Sequence, residues 1–119
     1  MTVRDNLTRL GHMRDAALQA LKFMSEETRE SLESNDMLQL AVVKALEIIG
    51  EAANNVSIDC QQRYPQIPWE EMVGMRNRLV HAYFGINLDV VWRTVREDLE
   101  PLLAALEVAL LAEQDDDLT

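Results

Sequence analysis

Residues 37–58 read MLQLAVVKALEIIGEAANNVSI. Leu38, Ala41, Val42, Ala45, Ile49, Ala52, Ala53 and Val56 recur at three- and four-residue steps, the spacing of one helical face. Leu46 and Ile48 widen that face until little of the helix is left polar. A helix so apolar belongs at the centre of a bundle, contacted on several sides. Asn35 and Asp36 supply its N-cap. Gly50 lies in its interior, where glycine costs about 1 kcal/mol relative to alanine. Close approach of another helix is the compensation expected there. Glu47 and Glu51 sit four apart on one face, and pairing with an arginine of another helix is their expected role.

The neighbouring stretches follow the same period. Residues 3–24 carry Val3, Leu7, Leu10, Ala17, Leu21 and Met24 on one face, with Arg14 on the same seam and His12 off it as a solvated residue. Ser25, followed by Glu26 and Glu27, is expected to cap a short helix or structured loop over 26–33. Asp59–Pro68, punctuated by Pro65 and Pro68, reads as a linker. Trp69, Met72, Val73, Leu79 and Val80 then mark a helix over 69–82, ended by Gly85. Asn87 caps a last helix over 88–113, which Pro101 should kink. The expectation is an all-α chain, with a helical domain over 1–113 and an acidic, flexible, frayed end over 114–119, Glu113 marking the start of that polar stretch.

Composition narrows the function classes. Aromatic residues are 5% of the 119, and Leu, Ala, Val, Met and Ile supply the apolar mass, which favours helices over sheets. The single Cys60 permits no internal disulfide and fits a reducing cytoplasm. No apolar run approaches the roughly 20 residues of a membrane span, and the N-terminus lacks a signal-peptide layout. A net charge of −10 argues against non-specific coating of nucleic acid. Yet Arg63, Arg76, Arg78, Arg93 and Arg96 fall in a window with only Glu70, Glu71 and Asp89 as acids. A locally basic site on an acidic body suits selective contact with phosphate.

That window holds the chemistry. Residues 75–85 read MRNRLVHAYFG. Histidine both takes and gives a proton near neutral pH. Arginine offers a fork of donors to phosphate and to developing negative charge. Asn77 and His81 are four apart and would share a helical face, whereas Arg76 and His81 are five apart and would not. A single site using both needs a helix end, a bend or a second copy of the chain. Two readings stand. In one, Arg76, Asn77 and His81 cleave RNA through its own 2′-hydroxyl, without metal, while Arg78 and Tyr83 help hold the strand. In the other, Arg76 pairs with a glutamate, and His81 and Tyr83 satisfy each other near a helix end.

The stretch RNRLVHAY (76–83) resembles the motif of the HepT toxins of the HEPN superfamily: Arg followed by a polar residue, His with four residues between it and the Arg, one residue, and Tyr. LEIIGEAAN (46–54), YPQIPWEEMVGMRNRLVHAYFGINLDVVW (64–92) and DLEPLL (98–103) resemble that family as well, so that the likeness runs from about Asp5 to Leu111. The resemblance implies an up-and-down bundle of four main helices plus a short connecting helix, working as a homodimer with the two motifs facing each other across a composite cleft. It implies a metal-independent, cofactor-free endoribonuclease acting as the toxin of a type VII-like toxin–antitoxin pair. His81 would be general base or acid, Arg76 would stabilise the phosphorane, and Asn77 would position the site. The implied partner is a minimal nucleotidyltransferase antitoxin that transfers AMP to Tyr83. Some members of the superfamily bind a nucleotide or a partner without cleaving RNA, which leaves a non-catalytic helical dimer regulated through Tyr83 as the other implication.

Overall fold

The Asn35 side chain accepts a hydrogen bond from the Leu38 N–H at 3.0 Å and opens the central helix, α3 (Asp36–Asn54). In the computed structural model, which describes residues 3–81 and 85–118, this helix buries Val42, Val43, Ala45, Leu46, Ile49, Gly50, Ala52 and Ala53. The helix α1 (Val3–Met24) lies along it and buries Leu10, Met13, Ala17, Ala20 and Met24. Arg14 is not on that seam. Met13 and Ala17 take the buried positions, and the Arg14 Nε turns outward to the neighbouring Asp15 at 3.1 Å. The closing run is helical from α7 (Leu88–Arg93), capped by the Asn87 side chain, through a π-helical turn (Thr94–Asp98) into α8 (Leu99–Leu118). Val91, Val95, Leu99, Leu102, Leu106, Ala109 and Leu110 face the core. α1 and α8 also pack together, so one apolar cluster runs between the three long helices.

Pro101 acts on this run as expected in kind but not in place. Its ring crowds the carbonyl of Glu97 and it lacks an N–H. The ladder widens in the turn before it, where the Leu99 N–H reaches back to the Thr94 carbonyl.

Two short helices join the long ones, where one was expected. α2 (Arg29–Ser34) starts three residues later than 26, because Thr28 and Ser31 form the capping box. Ser25 instead turns its hydroxyl back to the Lys22 carbonyl. α4 (Ile58–Arg63) occupies part of the expected linker, with Ser57 as its cap. α3 correspondingly stops at Asn54, and Gln61 donates to the carbonyls of Ala53 and Val56 beyond its end. Buried Asn6 of α1 holds this corner, bonding both the hydroxyl and the N–H of Ser57 at 3.0 Å.

The fourth run is where the sequence expectation needs most correction. Instead of one helix over 69–82 there are α5 (Trp69–Val73) and α6 (Met75–Leu79), parted at Gly74. α5 meets α3 backbone to backbone. A Cβ on Gly50 would stand 2.6 Å from the Met72 carbonyl oxygen, so glycine is required there, as the expected close approach demanded. After Leu79 the chain turns extended at the β-branched Val80 (φ −124°, ψ 123°). Val80–His81 (β1) then pairs antiparallel with Gly85–Ile86 (β2), Val80 opposite Ile86 and His81 opposite Gly85. Gly85 does adopt a positive φ of 80°, but in this ladder and not as a helix terminator. Apart from these two-residue strands, every regular element among the described residues is helical, so the fold is the all-α bundle expected. No helix among the described residues is long and apolar enough to cross a membrane.

Candidate functional site

Helix α6 is a single turn and a half, held by its own apolar side. Met75 and Leu79, four apart, are fully buried, which leaves Arg76, Asn77 and Arg78 exposed. Arg76 and Arg78 are two residues apart, about 200° around the axis, and they diverge. The Arg78 Nη2 bends back to the Glu71 carbonyl at 2.7 Å, tying α6 to α5. Arg76 lies at a cavity between α1, α3 and α5–α6. Asn77 bonds through its N–H to the Gly74 carbonyl, and among the described residues its side chain has no hydrogen bond. Because the helix stops at Leu79, His81 is not a helical neighbour of Asn77, and the shared face expected from their spacing does not form. A helix end does fall between Arg76 and His81, one of the three devices that a joint site requires. The His81 side chain and Tyr83 lie outside the described residues.

The cavity measures about 610 Å³ and is open and polar. Arg9 and His12 come from α1, Lys44, Glu47 and Glu51 from α3, and Arg76 from α6. Among the described residues none of Arg9, Lys44, Arg76, Glu47 and Glu51 takes part in an ion pair. The arginine partner expected for Glu47 and Glu51 is therefore absent there, because their face of α3 looks into the cavity and not onto a neighbouring helix. Arg9 is only partly exposed, and its Nε is buried with no hydrogen-bond partner. Such an orphaned donor costs about 1–3 kcal/mol.

The sequence window that looked basic is mostly spent on holding the fold. Arg96 stacks over the Trp92 ring at 4.3 Å and donates to the carbonyls of Met24 and Glu27 beyond α1. Arg63 grips Glu113, whose side chain is completely buried, through Nη2 and through Nε at 3.1 Å. This corrects the expectation that Glu113 begins a frayed end: α8 runs on to Leu118, and Glu113 is part of the core. Cys60 shares the carboxylate, its Sγ 3.5 Å from Glu113 Oε1. Burial and the neighbouring carboxylate push its thiol up to about 11, so it is protonated and inert at neutral pH. Burial and Glu113 likewise raise the Tyr64 phenol. Burial and the nearby Glu71 and Glu97 raise the Asp98 carboxyl.

Of the site residues expected from sequence, the structure thus brings Arg76 to the cavity and sends Arg78 elsewhere. It adds Arg9 and Lys44, which the sequence reading passed over, and His12, which is exposed as expected but also lines the cavity. Their signal was present as helical spacing: Arg9 and His12 are three apart, and Lys44, Glu47 and Glu51 form one polar stripe on an otherwise apolar helix.

Comparison with known proteins agrees with the motif. The family described as Ribonuclease HepT-like matches residues 13–109. A Methanocaldococcus jannaschii protein named "Putative RNase MJ1380" is 36% identical over 108 residues, 91% of this chain and 99% of that one. A Thermococcus cleftensis protein named "Probable ribonuclease HepT" is 43% identical over 93 residues, 75% of this chain and 84% of that one. No solved structure matches. With a family match across most of its length and two such relatives aligned over most of both chains, this chain belongs to the Ribonuclease HepT-like family.

Proposed function

We propose that the chain is a metal-independent endoribonuclease, the toxin of a toxin–antitoxin pair, acting in the cytoplasm as a homodimer. The observation that carries this is Arg76: a guanidinium with no ion pair among the described residues, at a polar cavity, one helix end before His81, in a HepT-like chain. In the reaction the RNA 2′-hydroxyl attacks the adjacent phosphorus. The new O2′–P bond forms, the P–O5′ bond breaks, and the products are a 2′,3′-cyclic phosphate and a 5′-hydroxyl. One His81 takes the 2′-hydroxyl proton and another gives a proton to the leaving O5′, each step contributing about 10²–10⁴-fold. Arg76 balances the extra charge of the phosphorane, and Asn77 positions the phosphate. Arg78, whose one hydrogen bond among the described residues goes to the Glu71 carbonyl, turns its remaining donors to a flanking phosphate. Tyr83 stacks on a base in the free protein.

A second copy of the chain supplies the second histidine. Met37 and Leu40, 82% and 64% exposed, continue the α3 stripe of Lys44, Glu47 and Glu51 with apolar surface, which supports a partner on that face. The antitoxin is a minimal nucleotidyltransferase. The Tyr83 hydroxyl attacks the α-phosphorus of ATP and releases pyrophosphate, and the phosphates added to Tyr83 then repel RNA from the cleft.

The test is cleavage of a tRNA pool in EDTA by protein whose mass shows an unmodified Tyr83, beside His81→Ala. Cleavage leaving 2′,3′-cyclic phosphate ends, reduced about 10²–10⁴-fold in His81→Ala, is expected. RNA left intact by both, or cut equally by both, overturns the reading.

A further inference from the structure

The proposed chemistry accounts for Arg76 but not for the rest of the cavity. Three cations from three helices, Arg9, Lys44 and Arg76, surround it together with His12. On a chain of net charge −10, three cations that line one cavity without an ion pair among the described residues are not explained by folding. A partner is within reach: Glu47 is three residues from Lys44 on the same stripe. Among the described residues that ion pair is nevertheless not made. The Arg9 Nε supports the same reading, since a buried donor with no acceptor among the described residues marks a place where an acceptor from elsewhere fits. The volume, about 610 Å³, is in the range of single-ligand sites.

We propose that this cavity is a nucleotide subsite, in which Arg9, Lys44 and His12 hold the phosphate next to the scissile one and Glu47 and Glu51 face the base. The proposal rests on the ribonuclease reading for its substrate, RNA, and goes beyond that reading in naming residues outside the motif. Guanidinium and ammonium groups bind a phosphodiester by charge and by donated hydrogen bonds, and the histidine N–H adds a donor. Carboxylates only accept at neutral pH. In a site built for phosphate alone they would repel the ligand. Beside a base they accept from exocyclic amino groups, as acidic side chains do from cytosine N4. The subsite therefore favours a base bearing an amine over uracil. Arg76, shared by the cavity and the motif, sets the strand in register between them.

The experiment measures binding and cleavage on unmodified full-length protein. Binding uses a fluorescent, uncleavable 2′-fluoro RNA hexamer, for wild type, Arg9→Gln, Lys44→Gln and Lys44→Arg. Arg9→Gln and Lys44→Gln should each raise Kd about tenfold, and each should flatten the slope of log Kd against log salt by about 0.7, the share of one phosphate contact on a single strand. Lys44→Arg, which keeps the charge, should restore both. On a cleavable hexamer the KM should rise in the same variants with kcat within about twofold, the pattern of a lost binding contact. Glu47→Gln should narrow the difference between cytosine and uracil hexamers. Lys44 is exposed on its helix, so Lys44→Gln reads the site even if Arg9→Gln fails to fold. Unchanged Kd and salt slope in Lys44→Gln, with cleavage intact, overturn the subsite and leave the ribonuclease reading standing. Weakened binding with no cleavage by any form, wild type included, overturns the ribonuclease reading and keeps the subsite.

Discussion

Arg63 and Arg76 are the same side chain put to opposite uses. Arg63, at the end of α4, holds the carboxylate of Glu113 across the bundle, and Glu113 has no contact with water. Arg76, on α6, stands beside two glutamates of α3 and pairs with neither. The first arginine closes the far end of α8 onto the corner formed by Asn6, Ser57 and Cys60. The second borders an open, charged cavity between α1, α3 and α5–α6. The contrast teaches that a charge count along the sequence says little until the partners are known. Of the five arginines that made residues 63–96 look basic, Arg63, Arg78 and Arg96 are occupied in tying helices together.

The comparison breaks most readily at its structural end. Arg63→Met removes the only cation bonded to Glu113 among the described residues and strands a buried carboxylate. Glu113 is buried but the Arg63 side chain is 44% exposed, so the loss is smaller than for a fully buried pair, about 1–3 kcal/mol for a carboxylate left without its donor. Urea unfolding should show that loss, and a double change to Arg63→Met with Glu113→Leu should recover most of it, because the pair is then replaced by apolar packing. A loss below about 1 kcal/mol would mean that Arg63 holds nothing that water cannot hold, and the two arginines would differ only in appearance.

Gly50→Ala probes the shared wall of the two regions. Its new methyl would meet the Met72 carbonyl at 2.6 Å, so α5 must move away from α3. Overpacking costs about 1–3 kcal/mol, and alanine returns roughly 1 of it as helix propensity. The net expectation is a loss of up to about 2 kcal/mol, read as a lower midpoint in thermal unfolding. Gly50 also borders the cavity, so the same change should weaken RNA binding, whereas Arg63→Met should not affect binding at a temperature where it is folded.

Gly50 was also the most legible residue in the sequence. A glycine inside an apolar helix has no local justification, and the close contact it implied is there. The three long helices were legible for a related reason: their apolar period persists over five or more turns, longer than any competing signal. The breaks in α5–α6 were not legible. Over residues 69–82 the helical period continues through Gly74 and Val80, and what ends the helix is tertiary: the carbonyl of Met72 against Gly50, and the pairing of Val80–His81 with Gly85–Ile86. Glu113 was misread for the converse reason. Its sequence neighbours are acidic and polar, and only Arg63, fifty residues away, reveals its burial. The motif showed where to look for the site. The rest of the cavity did not show, because Arg9, Lys44 and Arg76 are separated by more than thirty residues at each step and meet only when α1, α3 and α6 pack.

The smallest expected effect discriminates most sharply. If Arg76 and Lys44 are kept for a ligand, removing either charge should hardly disturb the fold. Neither forms an ion pair among the described residues, and both are exposed, where substitutions stay within about 0.5 kcal/mol. Arg76→Gln and Lys44→Gln should therefore unfold in urea at midpoints close to that of the unaltered protein, with the same slope. Adding a saturating uncleavable RNA should then separate them, because a ligand stabilises only the form that binds it. The unaltered protein should gain stability and the two variants should gain less. If instead Arg76→Gln unfolds as easily as Arg63→Met, then Arg76 is also part of the frame. The cavity would then be a gap between packed helices, and the distinction between a charge that holds the fold and a charge kept free would be lost.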